Sequence, residues 1–213
     1  MANCWSAVIF DLDGVLCSTD EYHYLAWERV TDELGIPFDR EINNRLRGLS
    51  RMDSLEIILE RAGRAYTPEE KEALAARKNA FYREYLATMS PDDLSGDVRD
   101  TLRALRERGY WLAVGSSSKN TPYILDRLGL GGFFDAVADG NLIARSKPDP
   151  EVFLKAAELL GEAPERCLVV EDAVNGAEGA HRGGMKAACV GDAAAKGAGD
   201  YNMSSVRELL DIL

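Results

Sequence analysis

Asp11 and Asp13 stand two residues apart at the end of an unbroken apolar run, Ala7-Val8-Ile9-Phe10, and Gly14 follows where the chain must turn. Side chains at i and i+2 share one face of extended chain, so both carboxylates can enter a crevice beyond the strand end. Alone, the same residues also read as ordinary strand-ending turn chemistry. Other groups change the weighing. Ser116-Ser117-Ser118-Lys119-Asn120 follows a second apolar run, Ser146-Lys147-Pro148 lies in a later connection, and Glu171-Asp172 ends a third run. Together these supply carboxylates, lysines and a row of hydroxyls. Asp11, Asp13, Glu171 and Asp172 would repel one another unless a cation sat among them. Oxygen ligands without histidine favour a hard ion, Mg²⁺ before Ca²⁺, with Asp11 and Asp172 as ligands, Asp13 through its carbonyl, and Glu171 in or near the first shell. One carboxylate can attack phosphorus, and a second can move a proton to and from the oxygen that leaves or attacks. Asp13 is placed for the second role. Lys147 and Ser116 suit the charge on a transferring phosphoryl group.

Such residues converge only if parallel strands deliver them to one edge of a sheet. Apolar runs without alternation at 7–10, 111–115, 136–138, 167–170 and 187–190 read as strands buried on both faces. Helical patterns separate them: 97–109, 121–129, 149–160, a small-residue helix to Gly183, and a last helix opened by Ser205-x-x-Glu208. Strands alternating with helices imply an α/β doubly wound parallel sheet. The first strand is separated from the rest by a stretch with helical patterns throughout. Residues 1–15 and 91–213 are therefore expected to form the core domain, with 16–90 inserted as a helical cap.

Within the insert, Thr19 to about Leu34 reads as a helix stopped by Gly35 and Pro37. Thr19, His23 and Trp27 share one stripe, which is either a core seam or the lining of a polar pocket. Residues 40–62 look helical, broken by Arg47-Gly48-Leu49-Ser50-Arg51, either a solvated turn or an anion-binding loop. Thr67-Pro68-Glu69-Glu70 is a capping box that opens a helix running to about Met89.

The chain has 213 residues and a formal net charge of −11, which suits one domain with an insert and argues against a nucleic-acid partner. Cys4, Cys17, Cys167 and Cys189 show no Cys-x-x-Cys spacing and are expected as reduced thiols in a cytoplasmic protein. No apolar run reaches membrane-spanning length. The Gly/Ala-rich stretch 191–199 reads as a surface loop.

Asp-Leu-Asp-Gly-Val, the strand ending in Ser116, Lys147-Pro148 and Val-Val-Glu171-Asp172 resemble, in order, the motifs of the haloacid-dehalogenase-like phosphotransferases. Glu21-Tyr22-His23, Ala26-Trp27, Arg47 to Arg51, Asp53-Ser54-Leu55, Arg77-Lys78-Asn79 and Ser116 to Asn120 resemble the β-phosphoglucomutase group within them. The resemblance implies Mg²⁺-dependent exchange of β-D-glucose 1-phosphate and 6-phosphate through the 1,6-bisphosphate, with a phosphosugar as the only partner and a monomer expected. It implies Asp11 as the phosphorylated nucleophile and Asp13 as the acid/base. Arg51, Ser118, Lys119 and Asn120 would hold the distal phosphate. Gly48, Leu49, Ser54 and Lys78 would meet the sugar or order the cap. His23 and Lys78 would couple cap closure to placing Asp13, and Thr19, Trp27 and Ser117 complete the substrate-binding set. Lys147-Pro148 would be a cis peptide. A phosphatase of the same fold shares the core motifs and differs only in the cap. A phospho-accepting signalling module fits the core but not a helical insert.

Overall fold

The computed structural model describes residues 5–46 and 49–213. Arg47, Gly48 and Cys4 lie outside the described residues. The chain forms two compact units, Met1–Ser18 with Ser90–Leu213, and Thr19–Met89.

The first unit is built on a sheet of six parallel strands: β1 (Ala7–Phe10), β2 (Trp111–Gly115), β3 (Ala136–Ala138), β4 (Cys167–Glu171), β5 (Lys186–Cys189) and β6 (Tyr201–Asn202). Their order is β3-β2-β1-β4-β5-β6. The chain builds outward from β1 to β3, then returns to the far side of β1 for β4. The direction of winding reverses between β1 and β4, and ligands of such sheets bind where that reversal leaves a crevice at the carboxyl ends. β1 is buried along its whole length. Ala7 and Ile9 pack into a cluster with Val152, Phe153, Ala156, Cys167, Val169 and Ala177, so Val8 and Phe10 must face the other side of the sheet.

The second unit is helical: α1 (Asp20–Leu34), α2 (Arg40–Arg45), α3 (Arg51–Leu59) and α4 (Pro68–Leu86). Gly35 ends α1 in the left-handed conformation. The capping box at Thr67 forms in both directions, Glu70 N donating to Thr67 Oγ1 at 3.3 Å and Thr67 N to Glu70 Oε2 at 2.8 Å. Trp27, Val30, Ile36, Leu46, Leu55, Ile58 and Ala75 make this unit's buried apolar cluster.

In the sheet unit the helices are α5 (Gly96–Glu107), α6 (Thr121–Arg127), α7 (Glu151–Leu160), α8 (Val174–Arg182), α9 (Gly191–Ala195) and α10 (Leu209–Ile212). Two expectations need correction. The stretch from Gly191 is not a loop throughout: its first residues form α9, anchored by the buried Ala193, whose N–H donates to the Asp172 carbonyl at 2.8 Å. Ser205 makes no side-chain cap. Glu208 instead accepts from the N–H of Ser204 at 3.1 Å and from its hydroxyl. No helix among the described residues is long and apolar enough to cross a membrane.

Candidate active site

β1 delivers Asp11 in register. Its N–H donates to the Val170 carbonyl at 2.9 Å, prolonging the pairing of β1 with β4 by one residue. The turn that follows is tight. Gly14 N donates to the Cys17 carbonyl at 2.7 Å, and Asp13 bridges to Cys17. Gly14 has φ +86°, and a Cβ there would collide with the Asp172 carboxylate, so glycine is required twice over.

Lys147 is the hub. Its Nζ lies 2.5 Å from Oδ1 of Asp11 and 2.5 Å from Oε1 of Glu171. Lys147 and Glu171 are 2% and 1% exposed, so neither charge can be met by water. Burial works against the Lys147 ammonium, yet the carboxylates of Asp11 and Glu171 outweigh it and raise its pKa. Burial, with the Asp11 charge, raises the Glu171 pKa against the pull of Lys147. Oε2 of Glu171 accepts from the N–H groups of Asp172 and Ala173 at 2.8 and 2.9 Å. Among the described residues no group donates to Oδ2 of Asp11. The Lys147-Pro148 peptide is cis.

Asp11, Glu171 and Asp172 each place a carboxylate oxygen within 4.8 Å of the others. An all-oxygen, anionic set suits a hard divalent cation such as Mg²⁺. Both oxygens of Glu171 are already engaged, whereas among the described residues only Oδ1 of Asp11 is, which makes Asp11 the better ligand of the two. The Asp13 carboxylate is not in this group; the expected contribution from Asp13 is its backbone carbonyl. Burial, then the charges of Asp13, Asp11 and Asp93, push the Cys17 thiol up, so it stays protonated beside them.

The loop after β2 is folded on itself. Ser116 N donates to the Ala138 carbonyl at 3.0 Å, holding the loop to β3. Ser116 Oγ accepts from Ser118 N at 3.2 Å, and Ser118 Oγ from Asn120 N at 3.2 Å. Ser117 Oγ is buried with no hydrogen-bond partner among the described residues. Lys119 is exposed and Asn120 buried.

In the helical unit the stripe on α1 divides. Trp27 goes into the apolar cluster at 2% exposure. Thr19 and His23 instead meet α4: Tyr82 Oη donates to Thr19 Oγ1 at 2.8 Å, and Lys78 Nζ lies 2.7 Å from His23 Nδ1. Lys78, 1% exposed, also sits 4.4 Å from the Tyr82 ring centre and 5.2 Å from that of Trp27. Burial, then the charges of Lys78 and Arg51, hold the His23 pKa well below the ordinary imidazole value. Arg51 opens α3 behind the Ser50 cap, half-buried, and burial lowers its pKa. No carboxylate among the described residues pairs with it. Ser54 is buried on the same helix and Leu49 is half-buried before it. Sequence reasoning missed Tyr82, though its spacing of four from Lys78 on one helix was the signal available.

Residues 5–184 match the family model described as haloacid dehalogenase-like hydrolase. The chain is 43% identical over 187 residues to a β-phosphoglucomutase of Bacillus subtilis, covering 87% of this chain and 83% of that one. It is 31% identical to a phosphorylated carbohydrates phosphatase of Thermotoga maritima, covering 84% and 82%. A crystal structure of β-phosphoglucomutase from Clostridium difficile superposes with a TM-score of 0.91 at 32% identity, covering 96% of this chain and 93% of that one. Buried Lys147 between two carboxylates at the winding reversal, and a sequence match over most of the length, lead to one conclusion: the chain belongs to the haloacid dehalogenase-like family of enzymes, as a homologue of the β-phosphoglucomutases.

Proposed function

We propose that this chain is a phosphosugar mutase that interconverts β-D-glucose 1-phosphate and β-D-glucose 6-phosphate through β-glucose 1,6-bisphosphate. The observation that carries the mutase over the phosphatase is the gap in similarity, 43% to the mutase of Bacillus subtilis against 31% to the phosphatase of Thermotoga maritima at nearly equal coverage.

Asp11 is the acceptor. An oxygen of its carboxylate bonds to phosphorus as the bond from phosphorus to the sugar oxygen breaks, and Asp13 gives that leaving oxygen its proton. In the return half a sugar hydroxyl attacks the aspartyl phosphate, Asp13 takes the hydroxyl proton, and the Asp11 carboxylate is released. Lys147 and Ser116 meet the charge of the moving phosphoryl group. Asp11 and Asp172, with the Asp13 carbonyl and Glu171 in or near the first shell, would hold Mg²⁺, which would supply further neutralisation of that charge. Arg51 grips the distal phosphate, aided by Ser117, Ser118, Lys119 and Asn120. Its half-burial, with no carboxylate partner among the described residues, supports an anionic ligand. The helical unit acts as the cap: Gly48, Leu49, Ser54 and Lys78 meet the sugar or order the cap, and Thr19, His23 and Trp27 keep Lys78 in place.

The test is to incubate the protein and Mg²⁺ with β-glucose 1-phosphate and a trace of the bisphosphate. Glucose 6-phosphate in large excess over inorganic phosphate is expected. Inorganic phosphate as the main product would make the chain a phosphatase.

A further inference from the structure

Gly176 stands in the first turn of α8 with helical backbone, where alanine would be the more favourable residue. Something other than backbone freedom must keep it bare. A Cβ added at 176 would overlap Oε1 and Cδ of Glu171 and lie 2.6 Å from its Cγ. Gly179, in the same helix, is a contrast: a Cβ there would meet nothing closer than 3.5 Å, an ordinary contact.

We propose that Gly176 is a positioning residue, whose bare Cα is the wall against which the Glu171 carboxylate rests and through which Lys147 and Asp11 are set. The geometry leaves Glu171 no slack. Its Oε2 is held by the N–H groups of Asp172 and Ala173, and its Oε1 by Lys147 at 2.5 Å. A methyl group at 176 must drive the carboxylate away from at least one of these partners. Lys147, freed on that side, no longer presents its ammonium to Asp11 in the same place. The inference rests on the reading of Asp11 as phosphoryl acceptor.

The experiment compares Gly176→Ala, Gly179→Ala, Glu171→Ala and the double variant Gly176→Ala/Glu171→Ala. Two readouts are taken: acid-labile phosphate incorporated from the bisphosphate, and melting temperature. Gly176→Ala is expected to slow incorporation about 10²-fold, the scale of a misplaced reacting group, while Gly179→Ala leaves it unchanged. In the Glu171→Ala background, Gly176→Ala should cost no further incorporation. There it should raise the melting temperature by about 2–4 °C, as a glycine-to-alanine change in a helix does, whereas alone it should lower it. Wild-type incorporation by Gly176→Ala, or the same additional loss and the same shift in both backgrounds, overturns the proposal. If the wild-type chain itself takes up no phosphate, the reading of Asp11 falls, and the change of sign in melting temperature still decides whether Gly176 acts through Glu171.

Discussion

Lys78 donates from Nζ to Nδ1 of His23 over 2.7 Å, and that contact places the imidazole proton on Nε2. His23 is thus built to be neutral. Its folded pKa lies well below the ordinary 6.5, because of burial first and then Lys78 and Arg51. The folded chain binds fewer protons here than the unfolded one. The stability this contributes is present above 6.5 and is lost as pH falls from there towards the folded pKa. Urea denaturation from about pH 7.5 to about pH 5 should show wild-type stability falling by up to about 1.4 kcal/mol per pH unit from this group. His23→Gln should fall less steeply. Equal slopes would mean that the imidazole titrates alike in both states.

Replacing Lys147 with Met removes the cation shared by Asp11 and Glu171. A buried charge left alone costs about 3–5 kcal/mol, so denaturation at about pH 8 should show a loss of that order. Glu171 already has a raised pKa from burial. Without Lys147 it rises further, and a carboxylate with raised folded pKa stabilises at low pH and ceases to as pH rises through that value. The penalty should therefore shrink towards about pH 5. A penalty independent of pH would remove the buried carboxylate as its cause.

Asp13→Ala should lower isomerisation by about 10²–10⁴-fold, the range for lost acid–base catalysis. Rapid-quench assay of glucose 6-phosphate formation measures it. A loss below tenfold would demote the Asp13 carboxylate to a structural role.

Arg51→Ala should raise the bisphosphate concentration needed for half-maximal rate about 10–100-fold, the scale of charged hydrogen bonds to phosphate. Hydrolysis of a small phosphate ester, which has no distal phosphate, should change little. Equal effects on both would place Arg51 outside the distal site.

The sheet was legible because its strands are buried on both faces: Ala7-Val8-Ile9-Phe10 has no polar break to suggest any other environment. The short edge strand β6, Tyr201–Asn202, carries no such run and went unread. The first turn after β5 was misread for a related reason. Gly191-Asp192-Ala193-Ala194-Ala195 has a loop's composition, yet it makes helical bonds, Ala194 N to the Val190 carbonyl at 3.2 Å and Lys196 N to the Asp192 carbonyl at 3.1 Å, and is anchored from outside by Ala193 N on the Asp172 carbonyl.

The residues of the site were legible as types at strand ends, and their partners were not. Helical spacing put Thr19, His23 and Trp27 on one face of α1. It could not say that Trp27 joins the apolar cluster while Thr19 and His23 face Tyr82 and Lys78, because those lie 63 and 55 residues further on. Gly176 looked like one more small residue in a small-residue helix. Its closeness to Glu171 depends on how β4 hands over to α8, which no local pattern records.

Asp11 lies beside strands made much later: Lys147 comes 136 residues after it in the chain. While the polypeptide is still leaving the ribosome, Asp11 has neither the lysine nor the strand that hold it. A nascent chain shorter than Glu171 carries the Asp11 carboxylate yet cannot organise it, and contacts of such long range form late in folding. Whatever work the Asp11 carboxylate does therefore waits until synthesis has passed Glu171, the last of the three side chains joined at Lys147.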